Sequence, residues 1–79
     1  MTRKLTEEEV ISTLRANIGK KVRVWPINGG EPWLIRVDRL SSDGEDFFYY
    51  ILEDPTLYDP TVLNECQFFD VSDVQEVPE

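Results

Sequence analysis

Residues 5–25, LTEEEVISTLRANIGKKVRVW, change from a helical pattern to a strand pattern at one glycine. Thr6 and Glu9 have the spacing of a capping box, in which each side chain bonds the backbone amide of the other residue. Gly19 is the usual left-handed stop of a helix. The sequence therefore predicts a helix over residues 7–18. Its apolar face is formed by four residues at helical spacing: Val10, Ile11, Leu14 and Ile18.

After Gly19 the apolar residues recur with period two, which predicts β-strands separated by turns. Phe47 to Leu52 is apolar on both faces, so we expect one face to meet the core and the other to meet the helix or a second subunit. The fold class is therefore α+β, an N-terminal helix followed by a five-stranded, strongly bent antiparallel sheet or a small closed barrel. The predicted strands cover residues 20–25, 33–40, 47–52, 65–71 and 74–77.

The length and composition suit one small domain. The chain has 79 residues, of which 41% are hydrophobic, and we assign all of residues 1–79 to a single domain with its β region over residues 20–77. Cys66 is the single cysteine, so no internal disulfide can form. No apolar run approaches the length of a membrane span. We therefore expect a cytoplasmic protein without membrane contact.

Charge is distributed unevenly along the chain. There are 16 acidic and 8 basic residues, a net charge of -8, and no lysine or arginine from Leu40 onward. Nucleic-acid binders usually carry a positive excess, so binding to nucleic acid is not expected. Two interpretations of the acidic second half stay open: it neutralises the basic first half across the folded sheet, or it forms a face for a basic partner.

Reactive side chains offer little support for catalysis. The absence of histidine removes the commonest general base and metal ligand, and Cys66 has no histidine to activate its thiol. Asp43-Gly44-Glu45-Asp46 lacks the alternating ligands and terminal glutamate of an EF-hand loop. We expect no enzyme activity, no catalytic residue, no cofactor and no metal site.

Aromatic residues exceed what one face of so small a core can hold. Some should therefore lie at the surface, where aromatic side chains are typical of protein-binding sites. Trp25 and Trp33 flank the same turn and can lie close together across the first two strands. The candidate partner-binding residues combine aromatics with acids of the second half: Trp25, Trp33, Tyr49, Tyr50, Tyr58, Glu53, Asp54 and Asp59.

The order of these segments resembles that of Sm-like proteins, a family of SH3-type small β-barrels. The resemblance rests on an Ile-Gly-Lys step from helix to strand, a glycine hairpin, the end of the third strand and the closing segment, residues 14–24, 28–31, 51–54 and 71–77. It implies an SH3/Sm-like barrel. Tyr49 stands where the RNA-binding members have an asparagine, and Val71 and Ser72 stand where they have a basic residue with a glycine. Pore-type RNA binding is therefore not expected.

Together these observations favour a non-enzymatic protein-interaction or assembly module of Sm-like/SH3-like type. We expect a homo-oligomer and a protein partner, and a basic partner would suit the acidic second half. One alternative is an RNA- or nucleotide-binding Sm-like ring protein with a basic surface around Arg15, Lys20, Lys21 and Arg23. The other is an acidic phage- or plasmid-type inhibitor whose carboxylates imitate the phosphates of DNA.

Overall fold

The computed structural model describes residues 5–53 and 56–78, which form one helix, five strands and a 3₁₀ turn. No helix within these ranges is long and apolar enough to cross a membrane. The 3₁₀ turn, Phe68–Asp70, connects the last two strands. In chain order the other elements are α1 Glu7–Ala16, β1 Lys21–Pro26, β2 Trp33–Leu40, β3 Asp46–Ile51, β4 Asn64–Gln67 and β5 Val71–Glu76.

The helix begins where its capping box predicts and ends earlier than expected. The Glu9 amide donates to Thr6 Oγ1 over 3.2 Å, and the Thr6 amide donates to Glu9 Oε1 over 3.0 Å. At the other end Asn17 is the C-cap, and Ile18 forms a bridge with Val37 of β2. The helical prediction for residues 17–18 is therefore wrong, because the backbone there already pairs with the sheet, and Ile18 is 47% exposed.

The five strands form one antiparallel sheet in the order β4-β3-β2-β1-β5, which confirms the α+β prediction. The closed-barrel alternative is wrong, since β4 and β5 are the two edges and do not pair with each other within the described residues. The 3₁₀ turn directs β5 along β1 rather than back along β4. Residues 68–70, predicted as strand, form this turn instead, and β5 begins at Val71 rather than at residue 74.

Side chains alternate between two faces of the sheet, and a bulge at Asp38 interrupts the alternation in β2. Val37 pairs with Tyr49 before the bulge, and Arg39 pairs with Phe48 after it. We call the buried side the inner face, and it carries Val22, Val24, Ile35, Val37, Phe47, Tyr49 and Ile51. We call the opposite side the outer face, and it carries Lys21, Arg23, Trp25, Leu34, Arg36, Arg39, Phe48 and Tyr50.

The core lies between the helix and the inner face. Val10 and Leu14 of α1 are fully buried, and the helix packs against β5, β2 and the 3₁₀ turn. The Phe47 and Phe68 rings stack with centroids 5.6 Å apart. Of the two expected covers for the outer face of β3, the helix is wrong, because α1 joins the same core cluster as the inner-face residues. Coverage of the outer face by a second subunit stays a prediction.

Candidate functional site

An apolar cavity of about 310 Å³ opens on the inner face of the sheet, beside the turn between β1 and β2. Its wall includes Cys66 of β4 and Asp70 next to β5, so both edges of the open sheet contribute to it. Most of the remaining wall is aromatic or aliphatic, and includes Val24, Ile27, Trp33, Phe47, Tyr49 and Val71.

The strand register explains why these side chains meet. Val24 of β1 is the direct cross-strand partner of Trp33, and Phe47 of β3 is that of Cys66, so each pair projects to the same face. Pro26 ends β1 at a register shift, after which Ile27 enters the turn above the cavity. The cavity therefore follows from strand pairing and from the early end of β1.

An aromatic pair lies at one side of the cavity. Trp33 and Tyr58 are each 39% exposed, and their ring centroids are 6.3 Å apart at an angle of 45°. This separation lies in the range where aromatic pairs attract each other. Further exposed apolar residues occur on the loop that carries Tyr58: Leu57, Val62 and Leu63. Apolar surface is thus available both inside the cavity and along its aromatic side.

Two ionisable groups in the cavity wall, Cys66 and Tyr49, are neutral at physiological pH. Burial, reinforced by the negative charges of Asp70 and Asp46, raises the pKa of the Cys66 thiol to about 11. Burial also raises the pKa of Tyr49 to about 12. A thiol with so high a pKa is a poor nucleophile, because the thiolate is the reactive form. The wall is suited to binding apolar groups rather than to covalent chemistry.

Carboxylates adjoin the apolar wall. A shallow groove shares Trp33, Tyr49, Cys66 and Asp70 with the cavity and extends it towards Asp46, Glu65 and Gln67 of the β3–β4 edge. A hydrogen bond with Asp46, together with burial and repulsion from nearby carboxylates, raises the pKa of Glu65. We call Asp46, Glu65 and Asp70 the acidic margin. No lysine or arginine lines the cavity or the groove in the described part of the chain.

The structure brings three of the candidate residues together and places two aromatics elsewhere. Trp33 and Tyr49 line the cavity, and Tyr58 contacts the Trp33 ring beside it. Trp25 pairs with Asp73 and Tyr50 pairs with Arg36, which places both aromatic side chains on the outer face. The prediction that Trp25 and Trp33 lie close together is therefore wrong. Val24, not Trp25, lies opposite Trp33, and adjacent residues of a strand project to opposite faces.

The candidate acids have local partners. Glu53 forms an ion pair with Arg23, with 3.1 Å between Oε1 and Nη1. Asp59 Oδ1 accepts from the Thr61 amide over 2.9 Å and from the Thr61 hydroxyl over 2.6 Å, and these hydrogen bonds lower the pKa of Asp59. Asp54 lies outside the described residues. Neither Glu53 nor Asp59 lines the cavity, so the acidic margin supplies its charge instead.

Sequence reasoning missed Ile27, Cys66 and Asp70 as cavity residues. The proline before Ile27 indicates only the end of a strand, and nothing in the sequence around Cys66 indicates that its thiol faces a cavity. Only the pairing of Phe47 with Cys66 reveals that the thiol faces inward beside the aromatic residues. That pairing joins residues far apart in the chain, and no local pattern specifies it.

Within the described ranges, no group of three or more carboxylate or thiol side chains is arranged to hold a metal ion. Comparisons of the chain with protein-family models, with curated proteins and with solved structures gave no match. The Sm-like resemblance therefore stays a prediction.

Proposed function

We propose that this protein is a non-enzymatic protein-interaction module whose cavity binds an apolar side chain from a basic segment of a partner. The observation that carries the proposal is the apolar cavity of about 310 Å³ with the half-exposed Trp33 in its wall. Binding energy at protein interfaces is concentrated where an aromatic or aliphatic anchor fills such a pocket. The volume lies at the small end of ligand sites, which suits one or two side chains.

The acidic margin favours a positively charged partner. Asp46, Glu65 and Asp70 adjoin the opening, and the protein as a whole carries a net charge of -8. Lysine or arginine beside the anchor would complement these carboxylates and would speed association at low salt. An acidic segment would be repelled. The proposed ligand is therefore an apolar residue flanked by basic ones.

Trp33 supplies a measurable part of the affinity. Covering its exposed 39% removes roughly 100 Å² from water, which contributes about 2.5 kcal/mol at about 25 cal/mol per Å². Truncation to alanine should therefore weaken binding by about 60-fold. Tyr58 contacts the Trp33 ring and is expected to contribute less, mainly by fixing the orientation of the indole.

Selection of a random peptide library against the folded protein, followed by calorimetric titration of the enriched peptides, tests this function. We expect the peptides to contain one aromatic or large aliphatic residue between lysines or arginines, and Trp33→Ala to weaken their binding. Phe69→Ala is the matched control, because Phe69 is an aromatic residue that is 56% exposed and does not line the cavity. Circular dichroism and urea unfolding verify that both variants are folded.

Two results would contradict the proposal. One is enrichment of acidic peptides, and the other is equal affinity of the selected peptides for the parent protein and for Trp33→Ala. A loss of the same size in Phe69→Ala would show that the peptides bind the 3₁₀ turn rather than the cavity.

A further inference from the structure

We propose a second binding surface, on the outer face of the sheet, where Lys21 and Arg36 bind an acidic segment of a partner polypeptide. This surface is separate from the cavity, because neither Lys21 nor Arg36 lines the cavity and both project away from the inner face. The inference does not depend on the function proposed for the cavity.

Two like charges are direct neighbours on the outer face. Lys21 of β1 pairs with Arg36 of β2, and residues opposite each other in this way have Cβ atoms about 4.5–5.5 Å apart. On its other side Arg36 pairs with Tyr50 of β3, so a lysine, an arginine and a tyrosine form a row across three strands. Like charges opposite each other destabilise a sheet. Folding alone does not favour this arrangement.

The carboxylates of the described residues do not neutralise this pair. On the same face Arg23 has an ion pair with Glu53 at 3.1 Å, and Arg39 has one with Asp38 at 2.7 Å. The Arg39 guanidinium also lies 4.5 Å from the centre of the Phe48 ring. Lys21 and Arg36 have no ion pair with any carboxylate of the described residues, although the chain contains 16 acidic residues. Their charges are therefore available to carboxylates of another molecule.

The surroundings of the row favour a short acidic peptide over a nucleic acid. Arginine binds a carboxylate through two parallel hydrogen bonds, and lysine adds a compact charge beside it. Leu34 and Tyr50 flank Arg36 on the same face and are half-buried, so they offer contacts to an apolar residue between two acids. A long polyanion would be repelled by the net charge of -8, and on the outer face only two of the described cations, Lys21 and Arg36, lack an ion pair.

Fluorescence polarisation with a labelled peptide of alternating glutamate and leucine tests this surface. We expect saturable binding, a loss of about tenfold in Arg36→Gln as for one charge-assisted hydrogen-bonded pair, and a similar or smaller loss in Lys21→Gln. Arg15→Gln is the matched control, since Arg15 is also exposed and has no ion pair with a described carboxylate. Trp33→Ala should leave the affinity for this peptide unchanged, which separates the two surfaces.

Three further outcomes would overturn the inference. The first is an equal loss of peptide affinity in Arg36→Gln and Arg15→Gln, which would indicate that the peptide is attracted to the basic first half of the chain as a whole. The second is binding of a labelled oligothymidylate but not of the peptide, which would assign the surface to nucleic acid. The third is an absence of peptide binding together with self-association that Arg36→Gln abolishes in sedimentation experiments, which would make a second copy of this chain the occupant.

Discussion

Cys66 illustrates how a single half-buried group can make stability depend on pH. Its thiol faces the cavity, and its pKa is raised to about 11 mainly by burial. In the unfolded chain the proton is released at a lower pH, near the ordinary value of a thiol. The contribution of the Cys66 thiol to the free energy of unfolding is therefore fully present below the pKa of the unfolded chain. It is lost as the pH rises towards about 11. Tyr49, with a pKa of about 12, acts in the same direction at higher pH.

We predict that the free energy of unfolding is constant near neutral pH and falls under alkaline conditions. Urea titrations across this range measure the fall. Cys66→Ala should show a smaller fall, because only Tyr49 then retains a pKa raised by burial in the cavity wall. An identical pH profile for the parent protein and for Cys66→Ala would show that the thiol has the same pKa in both states.

Substitution of Lys21 is expected to increase the free energy of unfolding, whereas most substitutions decrease it. Lys21→Gln removes the like-charge pair with Arg36, so the free energy of unfolding should rise by about 0.2–1 kcal/mol. Lys20→Gln is the control, since Lys20 is exposed, adjacent in sequence and outside the cross-strand pair. Urea unfolding at low salt measures both variants. A loss of stability in Lys21→Gln, or an equal gain in Lys20→Gln, would contradict the prediction.

The aromatic residues show how far a sequence can define a site. An excess of aromatics predicted that some would be exposed, and Trp33 and Tyr58 are. Which of them share a surface depends on strand register, a long-range property, and this separated Trp25 from Trp33. Alternation identifies which residues share a face within one strand, but not which strand lies beside it.

At the scale of elements, the capping box makes the start of α1 the most predictable boundary of the fold. Thr6→Ala removes the side-chain acceptor of the Glu9 amide and should cost about 1 kcal/mol of stability. For a domain of this size the melting temperature should fall by about 4–8 °C. Calorimetry or circular dichroism measures this change. Ser12→Ala, at an exposed position within the same helix, should leave the melting temperature nearly unchanged or raise it slightly.

Element ends were predicted well where local chemistry specifies them and poorly where tertiary contacts do. Residues 33–40 form β2 as predicted, since a glycine-rich turn precedes them and polar residues follow. The 3₁₀ turn was missed because Phe68 is held by distant groups. Its amide donates to the carbonyl of Glu45 over 3.1 Å, and its ring is buried against Phe47. Neither contact leaves a local pattern.

The edges of the sheet differ in how they are protected. The carbonyl of Ser72 in β5 accepts a hydrogen bond from the Leu5 amide over 2.7 Å, so Leu5, just before the helix, covers part of that edge. β4 is only four residues long and carries Glu65, and short charged strands discourage edge-to-edge pairing. The predicted homo-oligomer stays a prediction. If it forms, its interface is more readily placed on the faces of the sheet than along β4.

For the whole molecule, the excess of negative charge should make stability dependent on salt. A net charge of -8 on 79 residues repels itself in the compact state, and salt screens this repulsion. We predict that the melting temperature rises as sodium chloride is added from low to moderate concentration. Glu65→Gln removes one charge from the acidic margin and should reduce the salt dependence. A melting temperature that falls with salt would show that the ion pairs outweigh the repulsion.

Because of the bulge at Asp38, the fold can tolerate the loss of one residue at this position of β2. Removing Asp38 would leave Arg39 opposite Phe48 and Leu40 opposite Phe47, so every side chain would keep its face and β2 would become a regular strand. Removing Arg36 would shift the register and send inner-face residues outward. Urea unfolding of the two deletion variants should therefore show a folded protein for the first and an unfolded chain for the second. Chain-length variation among diverged copies of this sequence should be concentrated at this position of β2.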